Sequence, residues 1–191
     1  MAKYLIIVLS LLILGGCAST TRPAVEAVIN VQNLACESCK PLQEQHFSTL
    51  INIANKSPFA MKVQSLGFLK HKDKTYISID LVGAAYNTIQ TTTTTRLTNE
   101  FFNKYKSASE LLLSGMFSDD IDGVRVLLSC TSYNFVSDKY GLSPQGENLE
   151  LFTDKNIINQ FLLGDITAQS LINNSTVYIN GQRMDFKLQM M

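Results

Sequence analysis

From residue 41 onward, apolar positions recur with two alternating periods, near four and near two. Pro41 suits a first helical turn, and Leu42, His46, Leu50 and Ile53/Ala54 then share one helical face until Asn55-Lys56-Ser57-Pro58 ends it. Met61–Leu69 and Thr75–Tyr86 read as strands around the polar tip Lys70-His71-Lys72-Asp73-Lys74. The second strand alternates cleanly, with Ile77, Ile79 and Leu81 on one face and Ser78 and Asp80 on the other. The first changes phase near Ser65, which predicts a bulge.

Leu97, Phe101, Tyr105, Ala108, Leu112 and Met116 are spaced 4, 4, 3, 4 and 4, a single apolar stripe on a helix that Thr98 can cap and Gly115 nearly ends. Asp119-Asp120-Ile121-Asp122-Gly123 reads as a turn, and Val124–Val136 as a strand with Val124, Val126, Leu128 and Cys130 on its apolar face. A loop with Gly141, Pro144 and Gly146 leads to a short strand, Glu147–Phe152. Asp154 then caps a helix that turns Ile157, Ile158, Phe161 and Leu162 inward and stops at Gly164, and a second short helix covers Thr167–Ile172. The chain finishes in a hairpin around Asn180-Gly181, a favoured type I′ turn, with Met184, Phe186 and Leu188 inward.

Adjacent strands joined by short loops imply an antiparallel sheet built from β-hairpins with helices packed on one side, an α+β fold. The helices start near residues 41, 98 and 155, both intervals being 57, although the residues themselves do not repeat.

Ahead of this domain the pattern is different. Met1-Ala-Lys3 precedes an unbroken apolar run, Tyr4–Leu14, and then Gly15-Gly16-Cys17. Eleven residues make a helix of about 17 Å, short of the roughly 20 residues a bilayer core needs. A positive start, a short apolar core and two small residues make a secretory signal peptide over residues 1–16. Leu14-Gly15-Gly16-Cys17 resembles the lipobox of bacterial lipoproteins, the substrates of the lipoprotein signal peptidase. The resemblance implies cleavage before Cys17, a diacylglyceryl group on its sulfur and acylation of the new amino terminus. Ala18, rather than Asp, at the second mature position implies outer-membrane sorting in a Gram-negative host, on the periplasmic face. Residues 17–33 read as a lipid-anchored tether, with a first strand over Val25–Val31 as the alternative, and 34–191 as a single domain.

Charge narrows the functional classes. The chain has 16 basic and 16 acidic residues; losing Lys3 with the signal leaves 15 against 16, a net charge of −1. Such a balance argues against nucleic acid and against a broad electrostatic grip on anionic lipid. Export places the cysteines in an oxidising compartment, and once Cys17 is lipidated Cys36, Cys39 and Cys130 remain. At most one internal disulfide forms, either Cys36–Cys39 or one member of that pair with Cys130.

Cys36-Glu-Ser-Cys39-Lys40 resembles the thioredoxin active site, in which C-x-x-C-K opens a helix and the resemblance implies a lowered thiol pKa. It extends over about seven residues: Ala35 stands where the usual Trp would be, and no proline lies between Pro58 and Pro144. Lys40 after Cys39 excludes a c-type haem site, and the chain has no second C-x-x-C or H-x₃-H for zinc. The acidic turn at 119–122 would place its last calcium ligand at Ser129, where a Glu is needed. His46 and His71 neighbour no nucleophile motif, and Gly141–Gly146 is one residue too long for a nucleophile elbow. No metal and no cofactor are expected beyond the covalent lipid on Cys17. The reading is a non-enzymatic interaction or assembly module, whose partners are the inner leaflet of the outer membrane and an unidentified envelope protein. The alternatives are a carrier of a lipid or other hydrophobic ligand, for which Phe101, Tyr105 and Phe161 could line a pocket, and a thiol–disulfide oxidoreductase using Cys36 and Cys39.

Overall fold

The computed structural model describes residues 36–114, 120–134 and 144–189. A 3₁₀ turn, Glu37–Cys39, leads into α1 (Lys40–Gln45) and α2 (Phe47–Lys56). The hairpin β1 (Met61–His71) and β2 (Lys74–Asn87) follows. Next come α3 (Thr93–Glu100), a π-helical turn (Phe101–Tyr105) and α4 (Lys106–Ser114). The hairpin β3 (Gly123–Tyr133) and β4 (Gln145–Asp154) precedes α5 (Lys155–Leu163) and α6 (Ala168–Asn173). A last pair, β5 (Thr176–Ile179) and β6 (Gln182–Arg183), closes the order.

The six strands form one sheet in chain order, and the fold is α+β as expected. One interface corrects the all-antiparallel expectation: β2 and β3 run parallel. The cause is the connection between them. The helical passage α3–α4 carries the chain back along the sheet to the end where β2 began, so β3 must run in the same direction. The other four interfaces are antiparallel.

Alternation gives the sheet two unlike faces. Ile77, Ile79 and Leu81, Val124, Val126 and Leu128, Leu149 and Leu151, and Val177 join residues of every helix from α2 to α6 in one buried apolar cluster. The opposite positions carry Tyr76, Ser78, Asp80, Arg125, Glu150, Phe152 and Tyr178, and no described helix contributes a residue to this set.

Two irregularities shape the strands. The predicted phase change lies where the β1–β2 register shifts between Lys62 and Gly67. There Ser65 Oγ donates to the Lys62 carbonyl at 2.7 Å and accepts the Asp80 N–H at 2.6 Å, replacing ladder bonds that the bulge interrupts. In β2, Gly83 and Ala84 together oppose Cys130, because the register jumps from Val82–Ser129 to Ala85–Thr131.

The helices depart from expectation in physical detail. The threonines open the long helix rather than precede it: Thr92 is the N-cap and its Oγ1 accepts the Thr95 N–H. The four-residue spacing of Leu97, Phe101 and Tyr105 overshoots a 3.6-residue turn, and the wider π turn keeps all three on the core side. The first helix breaks at His46, whose ring lies 5.8 Å from Phe68 and whose Nε2 is buried without a partner. Gly164, at φ +84°, ends α5, and Asn180 and Gly181, at +51° and +80°, make the expected hairpin turn. The Met184 N–H still donates to the Val177 carbonyl of β5, and residues 185–189 then leave the sheet and lie against α6: Gln169 Nε2 donates to the Phe186 carbonyl, and the Leu188 N–H donates back to Gln169 Oε1. Phe186 is buried as expected, whereas Met184 is exposed. Helices starting at Lys40, Thr93 and Lys155 are not evenly spaced, so the 57-residue interval is not a structural period.

Candidate functional site

Cys17, the signal peptide, the tether with its alternative strand Val25–Val31, and the loop 135–143 lie outside the described residues. Of the cysteines within them, Cys36 and Cys39 are joined by a disulfide and Cys130 is free and buried. Cys39 is 3% exposed and belongs to the apolar core, whereas Cys36 is half-buried at its rim.

Cys130 sits in a buried polar cluster at one end of the core. Directly across the ladder stands Glu147, in phase with Leu149 and Leu151 and therefore aimed inward. Arg96 descends from α3 onto it: Nε donates to Oε2 at 2.6 Å and Nη2 to Oε1 at 2.5 Å. The fork is bidentate, and the two side chains are only 4% and 10% exposed. Thr93 Oγ1 donates to Glu147 Oε1 at 2.9 Å, and Arg96 Nη1 reaches the Thr91 carbonyl. Hydrogen bonding to Arg96 raises nothing on the carboxylate side; it holds Glu147 below the usual carboxylate range and lifts Arg96 above its own. Burial first, and Glu147 second, push the Cys130 thiol up to about 12, so it stays protonated and a poor nucleophile.

Glu100 performs a related task one helical turn along. It is essentially buried, and its Oε1 accepts the N–H of Ala84 at 2.8 Å and the phenol of Tyr86 at 2.9 Å. Lys104 neutralises it, with Nζ 2.6 Å from Oε2 and 2.8 Å from the Val82 carbonyl. The carboxylate thus caps the backbone freed by the β2 bulge. Gly83 is required there, because a methyl group would lie 2.4 Å from the Ser129 carbonyl and 2.7 Å from Glu100 Cδ.

The sheet face that no described helix joins holds a second set. Arg125 Nε donates to Glu150 Oε1 at 2.7 Å, and its Nη1 reaches Asp80 and, at 3.1 Å, Ser78. Toward one end, the ring of His71 stacks on Phe152 at 4.2 Å, with Tyr76 and Tyr178 meeting it edge-on. Gly123 makes room for this packing: a methyl group on it would lie 2.9 Å from Tyr76 Cε1. His71 therefore belongs to an aromatic cluster and not to a free tip. Its neighbour Lys74 pairs with Asp154 Oδ2 at 2.5 Å, while Tyr76 donates to Asp154 Oδ1 at 3.2 Å. This is why Asp154 makes no side-chain cap on α5, although it occupies the N-cap position.

No family model, curated protein or solved structure matches this chain.

The sequence pattern brought forward the three cysteines but missed Arg96, Glu100 and Glu147. A signal for Glu147 existed: it is an acid in phase with two leucines on a strand, and such a residue needs a cationic partner. Nothing local pointed to Arg96, 51 positions away. Arg125 and Asp80 were equally visible only as polar positions on alternating strands. Phe101 and Tyr105, considered as pocket lining, instead stack on each other at 4.9 Å within the continuous core. No described helix is long and apolar enough to cross a membrane.

Proposed function

We propose that this chain is a lipid-anchored envelope protein, tethered through Cys17 to the inner leaflet of the outer membrane, whose domain faces the periplasm and binds a protein partner. The observation that carries the reading is the sheet face to which no described helix contributes. Most sheets of this one-sided kind leave their second face simply solvated and polar. Here it holds an ion cluster at Arg125 and four interlocked rings, of which Tyr76 and Phe152 are buried and His71 and Tyr178 stay partly exposed, with Val82 exposed on the same face. Rigid aromatics and an oriented arginine are the groups that dominate protein recognition.

Photoactivatable residues placed at Val82 and Tyr178, with Glu110 on the far helix as control, test this in living cells. Adducts to one partner from the sheet positions and not from Glu110 are expected. Adducts from Glu110 alone, or a mature chain without lipid on Cys17, would overturn the reading. The carrier alternative is decided by organic extraction of the purified protein and mass spectrometry for a bound lipid.

A further inference from the structure

The Cys36–Cys39 disulfide contributes little as a staple. It closes a ring of four residues, and short rings remove the least entropy from an unfolded chain. The same turn is already closed by backbone bonds: the Cys39 N–H donates to the Cys36 carbonyl at 2.9 Å, and the Lys40 N–H to that of Glu37.

The two sulfurs are also unequal. Cys36 is half-buried at the rim, with Sγ 3.6 Å from the hydroxyl of the exposed Ser38, so solvent reaches it. Cys39 is enclosed by the core. Exchange requires a thiolate to approach one sulfur while the other departs. Access selects Cys36 for attack and leaves Cys39 as the departing group.

We propose that Cys36–Cys39 is an exchange-active disulfide that oxidises a dithiol of an exported protein. A substrate thiol gives up its proton and attacks Cys36 Sγ as the thiolate; the new S–S bond forms as the Cys36–Cys39 bond breaks, its electron pair goes to Cys39, and Cys39 takes up the proton the substrate released. The second substrate thiolate then attacks its own sulfur in the mixed disulfide. This forms the substrate disulfide and releases Cys36, which is protonated in turn. Two electrons and two protons pass from the substrate to the cysteine pair. Cys130 takes no part, being 2% exposed and held as a thiol against Glu147. The inference needs export but not the partner-binding reading, because exchange is measured on the purified protein alone.

The test uses the full mature chain in detergent, acid-quenched after exposure to glutathione or to a dithiol peptide, and mapped by mass spectrometry. Glutathione adducts are expected on Cys36 over Cys39 by about tenfold, and oxidation of the peptide about tenfold faster than by an equal concentration of glutathione disulfide. Reduction should leave the far-ultraviolet dichroism intact. Adducts on Cys39, peptide oxidation no faster than by glutathione disulfide, or a pair reducible only after unfolding would each overturn the proposal.

Discussion

Removing both members of the Arg96–Glu147 pair should cost less than removing either one. Arg96→Met leaves Glu147 as a buried carboxylate holding one bond from Thr93 and a weak one from Cys130. Glu147→Leu leaves the guanidinium enclosed with only the Thr91 and Thr93 oxygens. Breaking one partner of a buried pair costs about 3–5 kcal/mol, because a charge is left without compensation. In the double variant two aliphatic side chains of similar volume meet beside Leu97, Leu128 and Leu149, and the orphan groups that remain are Thr91 and Thr93, both partly solvent-accessible. Such replacements are close to neutral, so the double variant should lie within about 1 kcal/mol of wild type.

Urea unfolding with a common m-value reads all four proteins. Single costs below about 1 kcal/mol, or a double cost equal to their sum, would refute the assignment of the pair as a mutually dependent buried unit. The pH dependence supplies an independent check. Glu147 is held below its unfolded value chiefly by Arg96, so its contribution is complete above the ordinary carboxylate range and is lost as pH falls through the lowered folded value. That part of the acid destabilisation should be missing from the double variant.

Three further outcomes follow from single contacts. Ser65→Ala removes the hydroxyl that bridges the Lys62 carbonyl and the Asp80 N–H and should cost about 1–3 kcal/mol by urea unfolding, with Ser65→Thr, where the hydroxyl is retained, recovering part of it. Gly123→Ala places a methyl group 2.2 Å from the Thr153 carbonyl and should cost about 3 kcal/mol or more; a stable variant would mean that β3 and β4 separate more easily than their ladder implies. Burial lifts Tyr76, Tyr86 and Tyr105 above the ordinary phenol value, Tyr105 to about 12, so their stabilisation is complete below about pH 10 and is lost as pH rises through the folded values. Ultraviolet titration of the mature chain, which keeps six tyrosines once Tyr4 leaves with the signal peptide, should show Tyr76, Tyr86 and Tyr105 ionising late, and an absence of late titration would contradict the packing.

Elements whose signal is local were legible. β2 announced itself through Ile77, Ile79 and Leu81, α5 through its Gly164 stop, and the last hairpin through Asn180-Gly181, because each depends on neighbours within a few residues. The direction of β3 was not legible, since alternation is the same for parallel and antiparallel strands and only the α3–α4 return decides it. The helix start at Thr93 was missed because five threonines have poor helix propensity, and the Thr92 cap and the Arg96 anchor override it. For the candidate site, the Cys36–Cys39 pairing was one of two open alternatives, and local spacing offered it. The Arg96–Glu147 and Arg125–Asp80–Glu150 clusters join residues far apart in sequence, and a single strand cannot tell a solvated acid from one facing an arginine.

The proposed anchor sets a measurable limit on where the partner can be. Eighteen residues separate Cys17 from Cys36, and the nineteen Cα-to-Cα steps, at no more than about 3.6 Å each, cannot span more than about 70 Å. A partner engaging the cysteine pair must therefore present its own surface within that distance of the outer membrane, and one engaging the sheet face within that distance plus the breadth of the domain. Attachment also makes the encounter quasi-intramolecular, and effective concentration falls roughly as the −3/2 power of a flexible connection's length. Inserting twenty Gly/Ser residues after Ser19 about doubles the connection and should lower crosslink yield from Val82 about threefold if the partner is held by the same membrane. A partner free in the periplasm meets the domain by diffusion and is indifferent to the insertion. An unchanged yield, with the domain still processed and lipidated, would place the partner in solution and remove the membrane from the recognition step.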